Sequence, residues 1–199
     1  MGSKRRSFLP PQGKRRYRKL YVIAAEGAKT EPEYFSLALF RNRQSEYHLE
    51  LLSSNHKSSP DQVLKRMKDY LDKKEGKSSD EAWLVVDQDQ WSGDQLAELH
   101  EWSQKRPNNR FLALSNPNFE YWLLLHFEDG EAKDCLRRLK KHLPGYDKGI
   151  RASAFSEEKI RDAVNRAKKR DSPPCTDWPR IPGSTVYRLV EKLLRSLAT

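Results

Sequence analysis

The chain reads as an α/β domain built on a mostly parallel sheet of about four strands flanked by helices, with a helical C-terminal extension. Three observations predict it. Short apolar runs rich in β-branched residues alternate with longer stretches of helical periodicity. The intervening helices are long enough to cross over and cover both faces of a sheet. A length of 199 residues suits a single domain with its own core.

Each element follows from its local pattern. Leu20 to Ala25 is apolar and β-branched, as a buried strand requires, and a helix is expected from Glu31 to Phe40, with Thr30 and Glu33 forming a capping box. Glu26 and Gly27 then fall in a strand-to-helix turn. His48 to Ser53 is a weaker strand. A helix over residues 60–74 follows, with Val63, Leu64, Met67, Tyr70 and Leu71 on one face. The run "EAWLVV" from Glu81 to Val86 is the strongest strand, and a helix is expected over residues 93–105. Phe111 to Leu114 makes a fourth strand. Asn116 is the expected N-cap, with Pro117 in the first turn, of a helix whose run from Trp122 to Phe127 is apolar nearly all round. Helices near residues 131–143, 156–170 and 184–197 complete a basic C-terminal part. The organisation expected is a basic arm over residues 1–19, an α/β core over 20–130 and a helical part over 131–199 packed on that core.

The arm carries Lys4, Arg5, Arg6, Lys14, Arg15, Arg16, Arg18 and Lys19 with no acid, and is broken by Pro10-Pro11. Such a segment buries too little apolar surface to fold alone and is expected to be flexible. It serves either phosphate contact or a solvated, partner-docking role. A formal charge of +10 favours a polyanionic partner, because lysine and arginine that neutralise phosphates release counterions. Two cysteines, Cys135 and Cys175, and no Cys or His cluster at zinc spacing argue against a disulfide framework and fit a reducing cytoplasm. No apolar run approaches the ~18 residues of a membrane span, so a soluble cytoplasmic protein with no membrane partner is expected. The fragment Gly27-Ala28-Lys29-Thr30 resembles the end of a phosphate-binding loop, but an alanine separates glycine from lysine and the earlier glycine of that frame is missing.

In a parallel sheet, active sites lie beyond the carboxyl ends of the strands. Glu26 follows the first strand, and Asp87 and Asp89 follow the strongest, so the three should emerge along one rim. Residues i and i+2 of an extended chain point the same way roughly 6–7 Å apart, and such a pair can share a hard divalent ion. Acids gathered on one rim repel one another unless a cation or a proton compensates. Glu120, beside Asn116 and Asn118, lies in the first turn of the apolar helix, where the helix dipole alone accounts for a carboxylate. The same place suits a general base or a residue that positions a metal-bound water, with nearby amides holding phosphate. Among the histidines, His56 lies in a polar loop able to overhang the rim, and His126 is expected to be a satisfied core residue. Trp91 is expected to pack over the rim or against a base.

The segments "EGAKTEPEYF", "LVVDQDQW", "SNPNFEYWLLLHF", "LPGYDKG" and "STVYRLVEKLL", in this order, resemble the RloB-like proteins over most of residues 16–197. Ala25 stands where a cysteine is expected in many relatives, and it lies inside the strand. The resemblance implies a Toprim-like fold, with a glutamate after the first strand and an Asp-x-Asp after a later one binding Mg²⁺ or Mn²⁺ for phosphodiester chemistry. Glu26 matches the glutamate, Asp87 and Asp89 match the pair, and Asn118 and Glu120 fall in a third motif. It further implies an antiphage defence effector working with an ABC-like ATPase. Lys14, Arg15 and Arg16 of the arm, Lys29, Asn118 and the basic run Lys168, Lys169 and Arg170 are then expected to hold the nucleic acid backbone. A homo-oligomer is compatible with this reading, as is a non-catalytic module that binds nucleic acid or the ATPase partner.

Overall fold

The computed structural model describes residues 18–41, 46–54, 59–74, 76–89 and 91–195. Lys14, Arg15 and Arg16 of the expected arm, and His56 of the polar loop, lie outside the described residues. Strand β1 (Lys19–Ala25) pairs in parallel with β2 (Tyr47–Leu52) on one side and with β3 (Glu81–Asp87) on the other. β3 pairs in parallel with β4 (Arg110–Asn116). A two-residue strand, β5 (Gly183–Ser184), lies antiparallel to the end of β4, giving the order β2-β1-β3-β4-β5. β5 has no counterpart among the expected strands, because "GS" carries no apolar or β-branched run. Side chains anchor it instead: the Ser115 and Ser184 hydroxyls lie 2.9 Å apart, and Leu114 N–H donates to Thr185 Oγ1 at 2.9 Å.

Successive residues of a strand face opposite ways, and the two central strands divide accordingly. Val22, Ala24, Leu84 and Val86 join one core with α3 (Pro60–Leu71) and α4 (Gly93–Gln104). Tyr21, Ile23, Trp83 and Val85 join the other with α1 (Thr30–Phe35), α5 (Phe119–Leu124), α6 (Cys135–His142), α7 (Glu157–Arg170) and α8 (Val186–Arg195). The expected C-terminal helices therefore form part of one face of the domain. Among the described residues, no helix is long and apolar enough to cross a membrane.

The single helix expected from Glu31 to Phe40 is two, α1 and α2 (Ala38–Arg41), separated at Ser36 and Leu37. A straight helix would set Phe35 and Phe40 about 140° apart around its axis. The break brings both rings into one cluster, with centroids 6.3 Å apart. The chain goes outward from β1 to β2 and then returns to add β3 on the other side of β1. Strand order thus reverses between β1 and β3, the crevice where open parallel sheets place their sites.

Candidate functional site

At that crevice lies a cleft of about 370 Å³ lined by Glu26, Glu31, Asp87, Asp89 and Glu120, by Lys29 and Lys148, and by Trp91 and Phe119. Glu26 is held by the ladder it leaves: its N–H donates to Val85 O at 2.9 Å. Its carboxylate turns across to β3, accepting from Asp87 N–H and from Trp91 Nε1–H at 3.0 Å each. Trp91, placed by expectation over the rim or against a base, is a hydrogen-bond donor to the rim glutamate. Burial pushes the Glu26 carboxyl up to about 7 against these two donors, with Glu31 and Asp89 adding to the rise.

Asp87 closes β3, and burial holds its carboxyl well above the ordinary range, reinforced by Glu31, Glu26 and Glu120. The extended geometry expected through Asp89 ends here. Gln88 N–H donates to Ser115 O at 2.9 Å, and Asp89 N–H donates to Pro117 O at 3.0 Å, so the chain turns and leaves Asp89 exposed. β4 and the segment after it offer these carbonyls beyond the point where β3 stops, which bends the Asp-x-Asp.

Glu31 was not among the expected site residues. It is 4% exposed in the first turn of α1, and Oε1 accepts from Gly27 N–H at 3.1 Å. A Cβ on Gly27 would stand 2.1 Å from Glu31 Oε2, so a side chain there would displace this carboxylate from its place against the turn. Burial raises its carboxyl, and Glu120 raises it further. The available signal was the pairing of that glycine with an acid four residues on, in "GAKTE".

Glu120 is buried in the first turn of α5. The N-cap there is Asn118 rather than Asn116: Asn118 Oδ1 accepts from Tyr121 N–H at 3.3 Å and from the Cys135 thiol at 3.4 Å. Asn116 ends β4, and its Nδ2 donates to Pro179 O at 3.1 Å. Pro117 accordingly precedes the cap instead of occupying the first turn. Asn118 does not line the cleft, being turned to the helix end and to α6.

The other wall is the segment after α6. Tyr146 O–H donates to Glu120 Oε1 at 3.3 Å, and Lys148 Nζ lies 3.3 Å from the same oxygen. Thr30 and Glu33 do not form a capping box; α1 has no side-chain cap. Thr30 Oγ1 donates to Lys148 O at 2.8 Å, and Glu33 Oε2 accepts from Ile150 N–H at 2.6 Å. Both side chains find partners in a segment more than a hundred residues away, and α1 gives up its cap to hold that wall.

Of the expected backbone-binding cations, Lys29 lines the cleft and donates to Asp147 O at 3.2 Å. Lys168 and Arg170 end α7 away from it, paired with Glu191 at 2.9 Å and Asp129 at 2.8 Å, and Lys169 is exposed beside them. His126 is the satisfied core residue expected: its Nε2 lies 2.9 Å from the Tyr34 hydroxyl, and burial lowers its pKa to about 3.

A family model for the RloB-like protein matches residues 21–193, which take in every acid and lysine of the cleft. The chain belongs to the RloB-like protein family. No curated protein and no solved structure matches it. Among the described residues, the lining of this RloB-like chain is chemically suited to a hard divalent cation, with five carboxylates and neither thiolate nor imidazole. Among the described residues, no three His, Cys, Asp or Glu side chains already stand together as an ion site.

Proposed function

We propose that the chain is a Toprim-like, divalent-metal-dependent nuclease serving as an antiphage defence effector with an ABC-like ATPase partner. The observation that carries this reading is the gathering of five carboxylates at the crevice between β1 and β3 in a chain of net charge +10. Buried acids that repel one another are the arrangement a divalent cation would stabilise, and a basic chain draws the polyanion such an ion would help to cleave. Glu26, Asp87 and Asp89 would hold Mg²⁺ or Mn²⁺, with Glu31 and Glu120 behind them. When bound, the ion supplies Lewis acidity toward the phosphate and its leaving oxygen.

The chain's own residues do the rest. Water forms a bond to phosphorus as the P–O bond to the leaving sugar oxygen breaks, giving a phosphomonoester and a hydroxyl. Glu26, where it is not a ligand of the ion, would be the base that takes the proton water loses, and solvent supplies one to the leaving oxygen. Trp91 and the Asp87 amide keep the glutamate pointing into the cleft. Lys29 at the lip would meet the nucleic acid backbone.

The test is cleavage of labelled duplex DNA, single-stranded DNA and RNA with Mg²⁺, Mn²⁺ or EDTA, with and without the ATPase partner. Asp87→Ala should lower cleavage by about a thousandfold or more, and EDTA should abolish it. Retained cleavage in Asp87→Ala at equal protein and metal would sink the assignment. The net charge of +10, which draws a polyanion with or without an ion in the cleft, supports a second reading, a non-catalytic nucleic-acid or partner-binding module. Silence of the wild type even with the ATPase, together with salt-dependent binding unaffected by Asp87→Ala, would establish that reading instead.

A further inference from the structure

We propose that Lys148 is the substrate-phosphate ligand of this cleft, held ready by the Tyr146–Ile150 segment and aimed by Glu120. The assignment rests on the nuclease reading and names the side chain that would grip the scissile phosphate.

The segment is tied to the rest of the site at almost every residue. Tyr146 O–H reaches Glu120, Asp147 O accepts from Lys29, Lys148 O accepts from Thr30, and Ile150 N–H donates to Glu33. Gly149 of this strap lies against the Lys29 side chain, just before α1. Within this strap Lys148 adopts φ 61°, a left-handed conformation with a steric cost for any residue bearing a Cβ. A glycine stands next to it, yet lysine occupies the strained position. Such a residue persists where its surroundings over-determine it, commonly at ligand clamps.

The side chain that results is a cation at the mouth of an acidic cleft. It is 68% exposed, and its ammonium lies 3.3 Å from the buried Glu120 carboxylate. An ammonium has three donors, so contact with one carboxylate leaves others to accept a phosphoryl oxygen. The second lysine of the cleft is tethered to the Asp147 carbonyl. Five carboxylates alone would repel a phosphodiester. A fixed ammonium beside them gives the phosphate a contact that does not depend on the metal, and Glu120 becomes a positioning residue.

The experiment uses the full chain and separates three readouts: Mn²⁺ binding by electron paramagnetic resonance, binding of a fluorescein-labelled single-stranded hexanucleotide in Ca²⁺ by anisotropy, and cleavage in Mn²⁺. Lys148→Met is compared with Lys148→Arg and with Lys105→Met, a loss of the same charge just after α4, outside the cleft. Lys148→Met should weaken hexanucleotide binding about tenfold more than Lys105→Met and slow cleavage about a hundredfold, with Lys148→Arg recovering part of both. Its Mn²⁺ affinity should stay within about threefold of wild type, since a lysine supplies no metal ligand. Equal hexanucleotide binding by Lys148→Met and Lys105→Met, or no binding by wild type, overturns the assignment. So does loss of Mn²⁺ binding in Lys148→Met, which would make the lysine a structural partner of the acids. If no protein cuts even with the ATPase partner added, the nuclease reading fails, while the binding comparison still decides the role of Lys148.

Discussion

Strand β3 carries an acid at each end, and the fold treats the two oppositely. At its start Glu81, 5% exposed, accepts from Lys19 Nζ at 2.6 Å, from Lys192 Nζ at 3.0 Å on both oxygens, and from Trp83 Nε1–H at 3.0 Å. Each partner belongs to an element that the carboxylate ties together: β1, α8 and β3 itself. At its end Asp87 feels Glu31, Glu26 and Glu120, all of its own sign, and among the described residues the cleft sets two lysines against five acids. A carboxylate that serves the architecture is surrounded by cations. Carboxylates left to repel one another weaken the fold and are stabilised by a proton or by a cation from outside.

The contrast can be broken from either end. Glu81→Ala should have the largest effect, removing the acceptor of two ammonium groups and a buried indole. Both lysines keep some access to water, so a cost of about 2–3 kcal/mol is expected, a melting temperature lower by about 5–10 °C. Metal-dependent cleavage below the transition should be unchanged. A variant that melts normally would show that the pairing contributes nothing.

Asp87→Asn should do the reverse in the metal-free protein, raising the melting temperature at pH 8 by about 2–6 °C while cleavage is lost. The sign follows from linkage. With a folded-state pKa above the unfolded value, Asp87 loses its proton first in the unfolded chain, so the wild type loses stability as pH rises from the ordinary aspartate range through the raised value. The gain from asparagine should therefore be near zero at pH 4 and grow toward pH 8. His126 runs the other way, since the unfolded chain protonates it below about 6.5 while the folded one keeps it neutral to about 3. It is present in both proteins and cancels in the difference. A gain that does not change with pH would remove electrostatic repulsion as its cause.

The smallest effect tests what holds the cleft wall. Thr30→Val should cost about 1 kcal/mol or less and speed amide exchange at Ile150, leaving the amides of α1 unaltered. Faster exchange within α1 instead would mean that Thr30 caps the helix after all.

Much of this arrangement was legible in the residues. The β-branched run from Val22, the apolar "EAWLVV" and the helical stripes place the strands and the two covering layers, since periodicity reports which faces are buried. Glu26 and Asp87 follow because parallel strands end on a common rim. Asp89 lines the same cleft as Asp87, but on a bent rather than an extended chain, because carbonyls of Ser115 in β4 and of Pro117 take the amides after Asp87. Asn116 looked like the cap because it precedes a proline, and the ladder with Gly183 claims it for β4.

Local pattern alone determined β1 to β4, the helices α3, α4, α7 and α8 and the rim on which Glu26 and Asp87 emerge, because burial of alternate or every third to fourth side chain is a property of neighbours in the chain. Tertiary structure decided the rest. Glu31 reads as an ordinary first-turn acid until the turn at Gly27 closes on it. Thr30 and Glu33 read as a cap until the segment near Lys148, 118 residues from Thr30, takes their hydrogen bonds. Lys148 lies in "LPGYDKG", one of the segments that carry the family resemblance, but that run gives it no role, since its place beside Glu120 is made by contacts between segments whose meeting depends on the packed core.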